Sequence, residues 1–173
     1  MPELTAKITP DTSNHTRFTE TQAGALICHD YEQQKYYRIF QSEIDLDIIR
    51  RYVERNLCTT YPDVTYRYFA MNWPELCIFS FTDTHIPIGL IIGQETEPHV
   101  GRITMFTVEN RVEKHLVYRR LLELELSKMH EIGIRKVILK PKDERMKKKL
   151  LRYIGNAGPL RYVNPDGEFQ FHI

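Results

Sequence analysis

The chain has 173 residues and a formal net charge of +1, with 42% hydrophobic and 27% charged residues. That balance excludes a wholly disordered chain, and the length suits one domain with a substantial core. No apolar run approaches the roughly 20 residues of a membrane span, no basic stretch followed by an apolar core opens the chain as a leader would, and the near-neutral charge gives no global pull toward nucleic acid or a membrane surface.

Cys28, Cys58 and Cys77 are odd in number and lack metal-ligand spacing. Free buried thiols in a reducing, cytoplasmic setting are expected, and no metal site. Residues 1–34 are rich in Thr, Ser, Gln and Glu and read as a polar tail or appended arm, leaving 35–173 as the folded domain. Tyr36–Phe40 reads as a first strand. Ser42 caps an amphipathic helix in which Leu46, Ile49, Val53 and Leu57 recur at helical spacing. A loop through Tyr61-Pro62 leads to a second short helix, in which Tyr66 and Phe69 share a face. Pro74 disfavours helix at Trp73 and ends that element.

Two apolar runs follow, Leu76–Phe81 and Ile86–Ile92, joined as a hairpin by Thr82-Asp83-Thr84-His85. Arg102–Glu109 is a third run, expected to pair with the second. Leu116–Met129 carries two apolar stripes, the mark of a helix lying on a sheet. Val137–Leu139 is a short buried strand, Glu144–Tyr153 a very basic helix, and Arg161–Val163 with Glu168–Phe171 a closing hairpin. The order β-α-α-β-β-β-α-β-α-β-β predicts an α+β domain: a mixed, mostly antiparallel sheet with helices on both faces.

The block Tyr66-Arg67-Tyr68-Phe69, two residues, then Asn72-Trp73-Pro74-Glu75-Leu76 resembles the catalytic subunit of NatC, an N-terminal protein acetyltransferase of the GNAT superfamily. The resemblance runs from about Tyr36 to the C-terminus. Tyr61, Ile86-Pro87-Ile88-Gly89, Met105, Val108-Glu109 and Arg161-Tyr162 also fit the family pattern. It implies the GNAT fold and transfer of acetyl from acetyl-CoA to the α-amino group of Met-hydrophobic N-termini. It places Leu57, Tyr61, Tyr66 and Tyr162 around the peptide. It assigns the backbone of Met105, Phe106, Thr107 and Val108, with the helix start at Leu116, Val117 and Tyr118, to the coenzyme. Tyr153 is the candidate general acid, one residue beyond the aligned Arg152. Nascent-peptide N-termini and NatC-like auxiliary subunits are the implied partners, without a membrane.

The chain also departs from that pattern. Thr59 and Lys140 stand where the family has acids that can draw a proton from the amine. The family loop Arg-x-x-Gly-x-Gly/Ala lets backbone N–H groups approach a pyrophosphate at a helix start. Here it reads Glu113-Lys114-His115-Leu116-Val117-Tyr118, without glycine and with an acid in front. A second expectation follows: a catalytically impaired pseudo-acetyltransferase that serves as a binding or scaffold subunit. Basic residues crowd 135–152, from Arg135 and Lys136 to Lys147, Lys148, Lys149 and Arg152. They suggest either a solvated face or contact with phosphate, including ribosomal RNA.

Overall fold

The computed structural model describes residues 25–57, 60–110, 113–154 and 160–173, with the backbone alone for 154 and 160–163. One eight-stranded sheet runs through the domain, in the order β1-β2-β3-β4-β5-β6-β8-β7. Its strands are β1 (Leu26–Asp30), β2 (Lys35–Ile39), β3 (Cys77–Thr82), β4 (Pro87–Glu97), β5 (Val100–Val108), β6 (Lys136–Leu139), β7 (Leu160–Val163) and β8 (Phe169–His172). Every neighbouring pair is antiparallel except β5 and β6. The helices are α1 (Glu43–Asn56), α2 (Asp63–Asn72), α3 (Lys114–Glu131) and α4 (Glu144–Ile154), with one 3₁₀ turn at Pro74–Leu76. No helix among the described residues is long and apolar enough to cross a membrane.

Each sheet face carries its own core. Ile49, Val53, Tyr66, Phe69 and Ala70 of α1 and α2 cover Phe79, Phe81, Leu90, Ile92 and Met105. Val117, Leu121, Leu122, Leu126 and Met129 of α3, with Leu150 of α4, cover Ile78, Ile91, Ile103 and Phe106 on the other. Both apolar stripes of α3 are thereby used. Gly93 lets α3 approach closely, since a Cβ there would stand 2.3 Å from Met129 Cε. The family-type block behaves as its residues dictate: α2 ends at Asn72, Trp73-Pro74 turns the chain, and β3 begins at Cys77.

One stretch assigned to the polar arm belongs to the sheet. Leu26–Asp30 pairs with β2 through a turn that Asp30 Oδ1 closes by accepting the Gln33 N–H at 3.1 Å. His29 Nε2 meets Asp83 Oδ1 at 2.8 Å, tying this edge to the β3–β4 turn. The ordered domain therefore begins before residue 35, and residues 1–24 lie outside the described residues. β4 also runs to Glu97, beyond its apolar run. Its last residues, Glu95–Glu97, are exposed and continue the hairpin to β5.

The start of α1 is fixed by a buried ion pair. Arg38 on β2 forks onto Asp45, with both N···O distances 2.8 Å. Asp45 Oδ2 also accepts the N–H groups of Gln41 (2.8 Å) and Ser42 (3.3 Å), the carboxylate half of a capping box. The guanidinium lies 5.3 Å from the Phe79 ring centre and 4.6 Å from that of Phe81. Asp45→Ala leaves Arg38 buried without its partner and is expected to cost about 3–5 kcal/mol in urea denaturation. Joint replacement of Arg38 and Asp45 by apolar residues should recover most of that loss.

Glu125 of α3 is fully buried, and neither carboxyl oxygen has a hydrogen-bond partner among the described residues. Burial, with a smaller contribution from Glu75, pushes its pKa well above the ordinary glutamate range. The fold therefore favours the protonated acid. Its stabilising effect is complete below the unfolded carboxyl's pKa and is lost as pH rises toward the folded value. Glu125→Gln should flatten this dependence, raising the melting temperature more at pH 8 than at pH 5.

Candidate functional site

The site follows from how far β5 and β6 run together. They pair in parallel from Val100↔Lys136 to Ile103↔Leu139. β6 then stops, and Pro141 follows with no N–H to extend a ladder. β5 continues to Val108, paired on its other side with β4 through Gly89↔Val108. A bulge between Ile92 and Gly93 bends the β4–β5 pair where the strands part, and Thr104 Oγ1 donates there to the Ile92 carbonyl at 3.0 Å. The β6-facing edge of Thr104–Val108 is thus left without a strand neighbour.

α1 spans the mouth of this split on one face. Arg55 reaches Glu109, at the end of β5, at 3.0 Å. Two residues on, the Leu57 carbonyl accepts from Lys142 Nζ, beyond the end of β6, at 3.2 Å. The end of α1 and Leu57 therefore join both lips. Tyr61, shortly beyond, is 39% exposed, with its N–H donated to the Tyr66 hydroxyl at 3.2 Å and its ring edge-on to Tyr66 at 6.0 Å. Tyr66 itself is buried in the core. Its position is that of a post holding the Tyr61 loop, while Leu57 is half-buried against the same core. Tyr162 lies on β7 beside Gln170 of β8, and only its backbone is described. Thr59 lies outside the described residues.

α3 and α4 close the other face. The Glu109 N–H bonds the Ile88 carbonyl on the β4 side. Alternation along the strand turns the Val108 N–H to the opposite edge. Burial pushes the nearby Tyr118 phenol up to about 12, and the Val108 backbone works against the rise. Met105, Phe106, Thr107, Val108 and Val117 are all buried, and Leu116 is half-buried at the helix start. Tyr153 of α4 is half-buried and stacks on Tyr118.

The start of α3 carries mixed charge. Glu113 is its exposed N-cap residue, and Lys114 Nζ donates to Asn110 Oδ1. Lys149 of α4 lies inward, 5.8 Å from the Tyr118 ring centre. Burial, then the neighbouring Lys114 and Arg145, hold its pKa below that of an ordinary lysine. The basic run of α4 is therefore not one face. Lys147 pairs with Glu144 at 3.5 Å, Lys149 turns in, and Arg145, Lys148 and Arg152 remain exposed. Arg135 is taken up by the Ile134 and His130 carbonyls, at 2.9 and 3.2 Å.

Tyr52 is a group at the mouth that sequence reasoning missed. It donates to the Pro87 carbonyl, so the start of β4 is gripped from α1 beside Glu109. Its place within the α1 apolar face was the only available signal. A separate hollow of about 350 Å³ lies between α1 and α2. Its wall is mostly charged, with Arg50 paired to Asp47 at 2.6 Å and Arg67 to Glu43, and it does not include the strand split. Among the described residues, no group of three or more His, Cys, Asp or Glu is placed to hold a metal ion.

A sheet whose two parallel strands part midway, with a helix starting beside the longer one, has close counterparts among solved structures. A NatC complex bound to Gag peptide and CoA contains a chain that superposes with a TM-score of 0.66 at 20% identity, covering 81% of this chain and 99% of that one. Ard1 from Thermoplasma volcanium superposes at 0.63 with 19% identity, covering 80% and 94%. The chain has the GNAT fold. In sequence, N-alpha-acetyltransferase 30 of Dictyostelium discoideum is 28% identical over 106 residues, 60% of this chain and 57% of that protein. Its namesake from Saccharomyces cerevisiae is 25% identical over 140 residues, 68% and 79%. The chain spans only 57%, 46% and 35% of the relatives from Dictyostelium discoideum, Xenopus laevis and Homo sapiens. No family model matches it.

Proposed function

We propose that this chain is a NatC-type N-terminal acetyltransferase, with peptide N-termini beginning Met-hydrophobic as acceptors and acetyl-CoA as donor. The observation that carries the reading is the parting of β5 from β6 beyond Ile103, with Arg55 and Leu57 at the end of α1 joining both lips of the gap. An acceptor amine entering past Tyr61 would reach the free edge of Thr104–Val108. The relatives named N-alpha-acetyltransferase 30 and the NatC complex with its bound peptide support the same class. Leu57, Tyr61 and Tyr162 are the residues proposed to meet the peptide, with Tyr66 fixing the Tyr61 loop and Tyr153 as candidate acid. This reading places the chain in the cytoplasm, with nascent-peptide N-termini and NatC-like auxiliary subunits as partners.

The coenzyme side does not fit as well. Acetyl-CoA would supply the acetyl group, and its pyrophosphate needs close, positive backbone at the start of α3. The residues there are Glu113, Lys114, His115 and Leu116, without glycine, and the Tyr118 ring is buried against Phe106 of β5 and Tyr153. These observations favour a second reading, a catalytically impaired binding subunit of the same class.

Mass-spectrometric detection of acetylated product from a Met-Leu peptide separates the two. For the enzyme reading, product is expected only at high-micromolar acetyl-CoA or above. Bound peptide with no product at any coenzyme concentration identifies the binding subunit. Tyr61→Ala should weaken peptide binding several-fold in fluorescence titration with little change in melting temperature, because Tyr61 belongs to neither core. A large fall in melting temperature would assign Tyr61 to the core.

Ribosomal RNA is a further proposed contact, through the exposed cations of α4. Replacing Arg145, Lys148 and Arg152 by Gln should weaken ribosome association. The logarithmic salt slope should flatten by about one unit per lost phosphate contact. Folding should change by only tenths of a kcal/mol per exposed site. An unchanged slope would make this a solvated face.

A further inference from the structure

The space between the parted strands is filled from within. Tyr118 is only 1% exposed, although it stands one and a half turns or less from the start of α3. Its ring lies flat on Tyr153, with centres 5.2 Å apart and planes 12° apart. Its other neighbour is Phe106 of β5, edge-on at 4.8 Å. Its hydroxyl lies toward Val108, whose N–H faces the gap rather than β4. Two aromatic side chains, one from each helix, thus take up the volume beside this part of the edge.

We propose that the Tyr118–Tyr153 stack is a built-in plug of the coenzyme groove, and that Tyr118 decides whether this chain holds acetyl-CoA. The proposal rests on reading the strand split as the coenzyme side of an acetyltransferase. A pantetheine arm laid along Thr104–Val108 would have to displace a ring that packs on two others in the core. The Tyr118 position is the one at which the family pattern carries Gly or Ala. Cations are still gathered nearby: Lys149, its charge disfavoured first by burial, also feels the repulsion of Lys114 and Arg145. An anionic ligand would relieve that repulsion. Room along the strand edge is what the aromatic pair removes.

Calorimetric titration of the full chain with coenzyme A tests this, using the wild type, Tyr118→Ala, Tyr118→Phe and Tyr153→Ala, each first shown to melt cooperatively. The wild type and Tyr118→Phe, which keeps the ring, should bind no tighter than high micromolar. Tyr118→Ala and Tyr153→Ala should each bind at least tenfold tighter. Should Tyr118→Ala fail to fold, Tyr153→Ala decides, since it opens the same space from a half-buried position on the outer helix. Low-micromolar binding by the wild type overturns the proposal. So does a folded Tyr153→Ala with no gain, or a gain by Tyr118→Phe equal to that of the alanine variants. Titration of the same proteins with a Met-Leu peptide separates this result from the functional reading. Peptide binding without any coenzyme gain removes the plug and leaves the acetyltransferase class. Coenzyme gain with no peptide binding by any variant leaves the plug and removes N-terminal substrates.

Discussion

The parallel contact between β5 and β6 lasts four residue pairs, and the rest of the site depends on its brevity. A longer β6 would satisfy the edge of Thr104–Val108 and leave no gap. Pro141 makes such an extension costly, because it cannot donate to a ladder. β5 keeps its strand form past that point because β4 holds its other edge as far as Gly89↔Val108. The two helical faces then act as walls. α1 is anchored at its start by Arg38–Asp45 and at its end by Arg55–Glu109, so the loop leaving it is delivered to the mouth of the gap. α3 is pressed onto the sheet at Gly93 and brings Tyr118 to the strand edge.

The two walls have diverged unequally. On the α1 side, an exposed tyrosine is held by a buried one, an arrangement that presents an aromatic ring without spending core packing on it. On the α3 side, large buried rings stand beside the strand edge, and Glu113 holds the N-cap position, where the helix dipole is positive, without a side-chain capping bond.

Much of this was legible in the residues. Alternation in Cys77–Phe81 sends Phe79 and Phe81 to one core and Ile78 to the other, and the double stripe of α3 announced a helix on a sheet. The Trp73-Pro74 stop fell where its backbone restriction demands. β1 was not legible, because all five of its residues are half-buried at an edge and its neighbours are polar. The polar end of β4 was missed for a similar reason: an exposed hairpin needs no apolar run. In the site, the periodicity of α3 marks Tyr118 as buried with Leu122. Nothing local reveals that its partner is Tyr153, 35 residues on, nor that Lys149 turns inward to the same ring. The seven-residue spacing of Arg38 and Asp45 likewise says nothing about the fork they form.

The strand order also bears on how the molecule is made. β1 to β5 are neighbours in the order of synthesis, linked as an antiparallel meander with two helices inserted between β2 and β3. Their pairings are mostly local, and such contacts form early and fast. β6 can join only after the whole of α3 has been made, and β8 enters the sheet between β6 and β7, which precedes it in the chain. During synthesis, an N-terminal portion can therefore collapse around the α1–α2 core while the free edge of β5 waits for its neighbour. The groove is the last part of the molecule to acquire two sides, and the aromatic pair that fills it is completed only when α4 arrives. Until then β5 is an exposed strand edge, open to pairing with another nascent chain.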